Sequence, residues 1–181
     1  VVFHFAAKNC IPDCQEDPVE TALINTFGTV NILDACRTAD VKRVILAESS
    51  AVYEGSTIFP TSEEDENPLS FYAVSKYSKK FYSQAYARFH GLNITSLRYF
   101  NVYGPKQDYR RTIPPLMSAI IIKLLNNKIP SIYGDGTKRR DFIYVDDINR
   151  FHEMIINDTR TYGQTYNLGC GENYSVNDIF E

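Results

Sequence analysis

Short apolar runs alternate with longer stretches of helical period along most of the chain. Residues 1–6 are apolar enough for a buried strand, and Lys42-Arg-Val-Ile-Leu-Ala47 forms a second such run. Between them, Asp17-Pro18 is a helix start with proline in the first turn. Val19, Leu23, Phe27, Val30, Ile32, Leu33 and Cys36 then carry a helical stripe to about residue 39. A polar loop with Pro60 follows, and its acidic run Glu63, Glu64, Asp65, Glu66 reads as a solvated face. The pattern next predicts a helix from about 69 to 90 closed by Gly91, a strand at 93–99 and a strongly apolar helix at 113–127. Short strands are expected at 131–133, 141–144 and 165–168, with a helix at about 146–157 between the last two. Strands alternating with amphipathic helices predict an α/β fold with a mainly parallel sheet.

The spacing loosens after about residue 105, where strands shorten and Pro and Gly become more frequent. The expected division is 1–105 as the sheet domain and 106–181 as a smaller substrate-facing lobe interleaved with it. The chain opens inside an apolar strand and stops just after Ser175 and Asp178 have begun a helix, so it reads as a fragment.

Composition narrows the function classes. The chain has 181 residues with a formal net charge of −3 and a pI near 5.7. That length suits a domain of ordinary size. The weakly acidic balance argues against a nucleic-acid or anionic-membrane partner. No run approaches the roughly 18 apolar residues of a spanning helix. Cys10, Cys14, Cys36 and Cys170 stand in no metal-ligand spacing and read as reduced thiols of a cytoplasmic protein without a metal site.

Tyr72-Ala-Val-Ser-Lys76 places a phenol and an ammonium one turn apart on one helix face. A nearby ammonium favours phenolate, and lowering a tyrosine by three pH units takes about 4 kcal/mol of differential stabilisation. The spacing alone is weak, because 13 tyrosines supply roughly 0.6 such pairs by chance. Two further features converge on it. The strand at 42–47 runs into Glu48-Ser49-Ser50, delivering hydroxyls to the carboxyl end of an apolar strand, where open α/β sheets bind ligands. The strand at 93–99 delivers Tyr99 and Asn101 to the same edge.

Seven ordered motifs then resemble the extended short-chain dehydrogenase/reductases, in particular their NAD-dependent nucleotide-sugar epimerase/dehydratase group. They are Val2-Phe-His-Phe-Ala-Ala7, Asn25-Thr-Phe-Gly-Thr29, Glu48-Ser-Ser-Ala-Val-Tyr53, Tyr72-x-x-x-Lys76, Arg98-Tyr-Phe-Asn-Val-Tyr-Gly-Pro105, Tyr133-Gly-Asp-Gly136 and Arg140-Asp-Phe-Ile-Tyr-Val-Asp-Asp147. The resemblance covers essentially the whole chain. It implies a Rossmann-like doubly wound sheet, incomplete on its N-terminal side, and NAD as cofactor. Tyr72 would be the acid and base on a sugar hydroxyl, Lys76 would bind the nicotinamide ribose, and Ser49 would complete the triad. Phe5, Ala6, Ala7, Asn25 and Tyr99 would line the cofactor. Ser50, Asn101, Arg140 and Tyr133 would meet the UDP-sugar, with Asn101 and Arg140 on its diphosphate. Lys138 and Arg139 are left as solvated charges.

Within the family, the dehydratases carry an Asp-Glu pair after the triad hydroxyl, where this chain has Ser50 and Ala51. Elimination then lacks its acid and base, and the segment from Arg98 resembles the UDP-hexose 4-epimerases. The implied reaction is epimerisation at C4 through a transient 4-keto sugar. The alternatives are another nucleotide-sugar enzyme of the family (dehydratase, decarboxylase or reductase) or a non-catalytic Rossmann-like module. Glu48, Glu54 and Lys8-Asn9-Cys10 depart from the pattern, and Glu48 is expected close to Ser49. The Gly-rich pyrophosphate turn is expected before Val1, so the 181 residues alone should be inactive. The family pattern also implies a homodimer through the helices at 16–39 and 69–90.

Overall fold

The chain folds in the order β1 (Val2–His4), α1 (Ile11–Glu16), α2 (Pro18–Ala22), a π-helical turn (Leu23–Phe27), α3 (Gly28–Thr38) and β2 (Val44–Ser49). A 3₁₀ turn (Ser50–Tyr53), α4 (Phe71–His90), β3 (Ile94–Tyr99), β4 (Asn101–Tyr103) and α5 (Leu116–Leu125) follow. The remainder is β5 (Arg139–Arg140), β6 (Phe142–Tyr144), α6 (Val145–Ile155), a 3₁₀ turn (Thr159–Thr161), β7 (Thr165–Leu168), β8 (Tyr174–Ser175) and α7 (Val176–Phe180). This computed structural model describes residues 1–111 and 113–181. Two units result: Val1–Tyr99 with His152–Leu168, and Phe100–Phe151 with Gly169–Glu181.

The first unit is built on a parallel sheet in the order β1-β2-β3-β7. Side chains alternate between its faces. In register, Val2, Val44 and Ile94 share one row, His4, Leu46 and Ser96 the next, and Glu48 and Arg98 the third. The apolar rows of this face pack on Leu33 and Cys36 of α3. Phe3, Phe5 and Tyr99 belong to the opposite alternation and gather around His152 of α6, with ring centroids 5.4–5.9 Å from it. Burial on both faces explains why β2 reads as a continuous apolar run rather than an alternating one.

The ionic row corrects two expectations. Glu48 lies on the alternation opposite to Ser49, and its carboxylate accepts from Arg98 Nε at 2.9 Å. The acidic loop is not a freely solvated face. Arg98 Nη1 donates to Tyr53 Oη (2.6 Å) and to the Glu63 carbonyl (2.7 Å), and Nη2 to Glu66 (2.6 Å). Glu66 also pairs with Lys80, and the Glu63 carboxylate accepts from the backbone N–H of Asn167 at 2.8 Å. Burial opposes the charge on Arg98, but Glu48, Tyr53 and Glu66 together hold it above its ordinary range.

The stripe predicted to run from 18 to 39 is interrupted by the π-helical turn, where Gly28 N bonds to Leu23 O. Residues 131–133 form no strand. The strands β4, β5 and β8 escape the sequence pattern because two or three residues are too few to display a period, and the six-residue α1 is likewise too short to show a helical stripe.

In the second unit β4 pairs with β6 in parallel and β5 with β8 antiparallel. Gly104 follows β4 at φ 147, where an added Cβ would lie 2.5 Å from Val145 Cγ1. Asp141 accepts from the backbone N–H groups of Cys170 (2.8 Å) and Gly171 (2.9 Å). Ser175 and Asp178 form the expected capping box of α7. Arg139 is exposed, as expected of a solvated charge, and its guanidinium also meets Asn173, just before β8, and Asp178 of α7.

Candidate active site

Tyr72 lies in the first turn of α4, whose start is fixed by Ser70 accepting from Ala73 N. Four residues on, Lys76 is buried with Nζ 5.5 Å from the Tyr72 ring centroid. Burial pulls its ammonium down to about 8, opposed chiefly by the Glu48 carboxylate, so it remains mostly charged at neutral pH. Ser49 ends β2 and caps the following 3₁₀ turn by accepting from Ala51 N at 3.2 Å. That turn packs against α4, which brings Ser49, Ser50 and the Tyr72 end of the helix to the same end of the unit.

Asn25 does something other than line a surface. It is fully buried, accepts from Lys8 N (2.7 Å), and donates to Lys8 O (3.0 Å) and Ser75 Oγ (2.9 Å). Ser75 Oγ in turn donates to the Tyr72 carbonyl at 2.8 Å. Asn25 therefore pins the segment after β1 to the turn that carries Tyr72. The π-helical turn holds it there, and such turns recur at functional sites. Phe5 and Ala6 are exposed in the segment it pins, and Ala7 is half-buried.

Tyr99 is already engaged, its hydroxyl 2.7 Å from His152 Nε2. Burial raises the Tyr99 phenol and lowers His152. His152 was missed from sequence, although Ile148, His152 and Ile155 share the spacing of one α6 face. Also missed were Lys79, Ser75 and His4. His4 is buried, with Nε2 3.0 Å from Thr29 Oγ1.

In the second unit, Asn101 N and Nδ2 both meet the Asp141 carbonyl, at 3.1 and 2.7 Å, which sets Asn101 beside the residue that follows Arg140. Arg140 is exposed, with Nη1 on the Arg139 carbonyl at 2.8 Å. Tyr133 is 89% exposed. Among the described residues no cluster of three His, Cys, Asp or Glu could hold a metal ion. Among them also, no helix is long and apolar enough to cross a membrane.

A parallel sheet with hydroxyls at its carboxyl end and a tyrosine one turn from a buried lysine defines a dehydrogenase-like α/β unit. Residues 1–169 match the NAD dependent epimerase/dehydratase family, and the chain belongs to it. It is 36% identical to a UDP-glucuronate 4-epimerase of Thermodesulfobacterium geofontis, over 99% of this chain and 54% of that protein. It superimposes on the UDP-glucose 4-epimerase of Thermotoga maritima, solved with UDP-glucose, at TM-score 0.94 and 32% identity, covering 99% of this chain and 58% of that one. Against the UDP-N-acetylglucosamine 4-epimerase of Methanobrevibacter ruminantium M1, solved with UDP-N-acetylmuramic acid, the TM-score is 0.92 at 34% identity, covering 99% and 57%. The chain thus spans a little over half the length of these relatives.

Proposed function

We propose that the protein carrying this chain epimerises a UDP-hexose at C4, with Tyr72 as acid and base. The observation that carries this reading is the buried Lys76 ammonium one turn from the Tyr72 phenol. Lys76 favours the phenolate, Tyr72 takes the C4 hydroxyl proton, and Ser49 donates a hydrogen bond to the reacting oxygen. The exposed small side chain of Ala6, on a segment pinned by Asn25, and the ammonium of Lys76 fit a flat nicotinamide ring and its ribose. NAD, when bound, supplies reversible acceptance of hydride from C4. In the second unit, Asn101 and the exposed Arg140 suit the substrate diphosphate, since a guanidinium can pair with its oxygens bidentately, and Tyr133 suits the nucleoside. Ser50 and Ala51 supply no acid–base pair for elimination, which favours epimerase over dehydratase.

The same reading makes the protein a homodimer. Val19, Leu23 and Phe27 of the α2–α3 segment and Phe71 and Tyr82 of α4 line an apolar groove. The first three are 56–70% exposed, more than a lone chain comfortably leaves in water. Four free thiols support a reducing, cytoplasmic setting.

The test is Tyr72→Phe in the whole protein. Turnover of UDP-galactose and its N-acetyl analogue should fall by about 10²–10⁴-fold while UDP-sugar binding persists. Retained turnover would refute the reading.

A further inference from the structure

The sheet face under α3 and α4 changes character along the strands, from the apolar row of Val44 and Ile94 to the ionic row of Glu48 and Arg98. Against this face α4 places two lysines three residues apart, Lys76 and Lys79, with 3% and 0% of their surface exposed. A buried amine is costly, and two adjacent ones resist both being charged. The proposed reaction uses Lys76 and leaves Lys79 without a role. Lys79 Nζ donates to the Ala47 carbonyl at 3.2 Å, and its side chain is hydrogen-bonded to that of Lys76.

We propose that Lys79 is a positioning residue for this site: as a neutral amine it accepts a hydrogen bond from the Lys76 ammonium, keeping Lys76 charged and aimed at Tyr72. The inference rests on the functional reading above. A neutral amine has one lone pair and two N–H groups, which suits one bond accepted from Lys76 and one given to Ala47. Burial pulls both amines down, Lys79 to about 7 and Lys76 to about 8, and a hydrogen bond between them requires one to be neutral; the Tyr72 phenol, whose ring centroid is 5.5 Å from Lys76 Nζ, favours the proton on Lys76. The facing groups agree. His4 from β1 is lowered to about 4 by burial and by the two lysines, and is therefore neutral. Glu48 from β2 supports both amines but is itself bonded to Arg98 from β3. From α1 the remaining facing group is the Cys14 thiol.

Without its acceptor, the buried Lys76 should lose its proton at lower pH. The experiment is the pH profile of kcat in the whole protein for wild type, Lys79→Met and Lys79→Gln, with Tyr72→Phe alongside. The alkaline limb of Lys79→Met should move down by about one pH unit with little change in KM, and Lys79→Gln, whose amide oxygen accepts, should restore it. A Lys79→Met profile that superimposes on wild type, or is scaled equally at every pH, would overturn the inference and leave the functional reading intact. Turnover by Tyr72→Phe would remove that reading itself. If Lys79→Met does not fold, a lysine Nζ NMR titration of the wild type decides. Two coupled amines titrating below about pH 9.5 support the inference, and ordinary titration above that overturns it.

Discussion

Glu48 and Arg98 stand opposite each other in the β2–β3 ladder with both side chains fully buried. The guanidinium reaches from there to the 3₁₀ turn through Tyr53 and to the loop before α4 through Glu63 and Glu66. Lys80 of α4 closes the circuit on Glu66. Three segments that flank the candidate site are thereby referred to one planar cation, whose fixed donor geometry favours a single arrangement.

Arg98→Met should therefore destabilise the protein by about 3–5 kcal/mol, since it strands a buried carboxylate and releases the loop. Urea denaturation midpoints measure this. Combining it with Glu48→Gln should recover a large part of the loss, because no unpaired buried charge then remains. Strictly additive losses would show that the two residues act independently.

Much of this architecture can be read from the chain. The strands at 44–49 and 94–99 and the helix at 71–90 announce themselves by burial on both faces or by a long helical period ended at Gly91. Tyr72, Lys76 and Ser49 are legible because their spacing places them on one helix face and one strand end. Arg98 is not, since a charged residue inside an apolar strand gains meaning only from a partner 50 positions away in sequence. Lys79 is equally hidden, because a lysine on a helix reads as solvated until packing shows it wholly buried. Asn25 is legible as a motif residue, but its bonds to Lys8 and Ser75 are not, since those partners lie 17 and 50 positions away in sequence.

The groove between the α2–α3 segment and α4 carries a prediction of its own. Leu23→Glu or Phe27→Glu should convert a dimer to a monomer in sedimentation velocity at micromolar concentration. A carboxylate at the centre of an apolar interface loses its hydration without a partner. Both residues are more than half exposed in the single chain, so its own stability should change by less than about 0.5 kcal/mol. A variant that remains dimeric would place the contact elsewhere.

His4 supplies a dependence on acid that can be isolated. It is buried beneath α4, accepts or donates one hydrogen bond with Thr29, and titrates at about 4, pushed down by burial first and then by Lys79 and Lys76. An unfolded histidine titrates near 6.5. Between those values the unfolded chain binds a proton that the folded chain refuses. The stabilisation is therefore complete above about pH 6.5 and declines as pH falls toward 4, by at most about 3 kcal/mol. Lys79, at about 7, also takes up a proton between pH 7.5 and pH 5, but it does so in wild type and in a His4 variant alike, so the difference between the two proteins isolates His4. His4→Gln keeps a hydrogen-bonding group for Thr29 but cannot titrate. Its urea midpoint should change between pH 7.5 and pH 5 by markedly less than that of the wild type at equal ionic strength. An equal fall in both proteins would assign the acid sensitivity to the carboxylates that Arg98 and Lys80 hold, with Glu66 the first candidate.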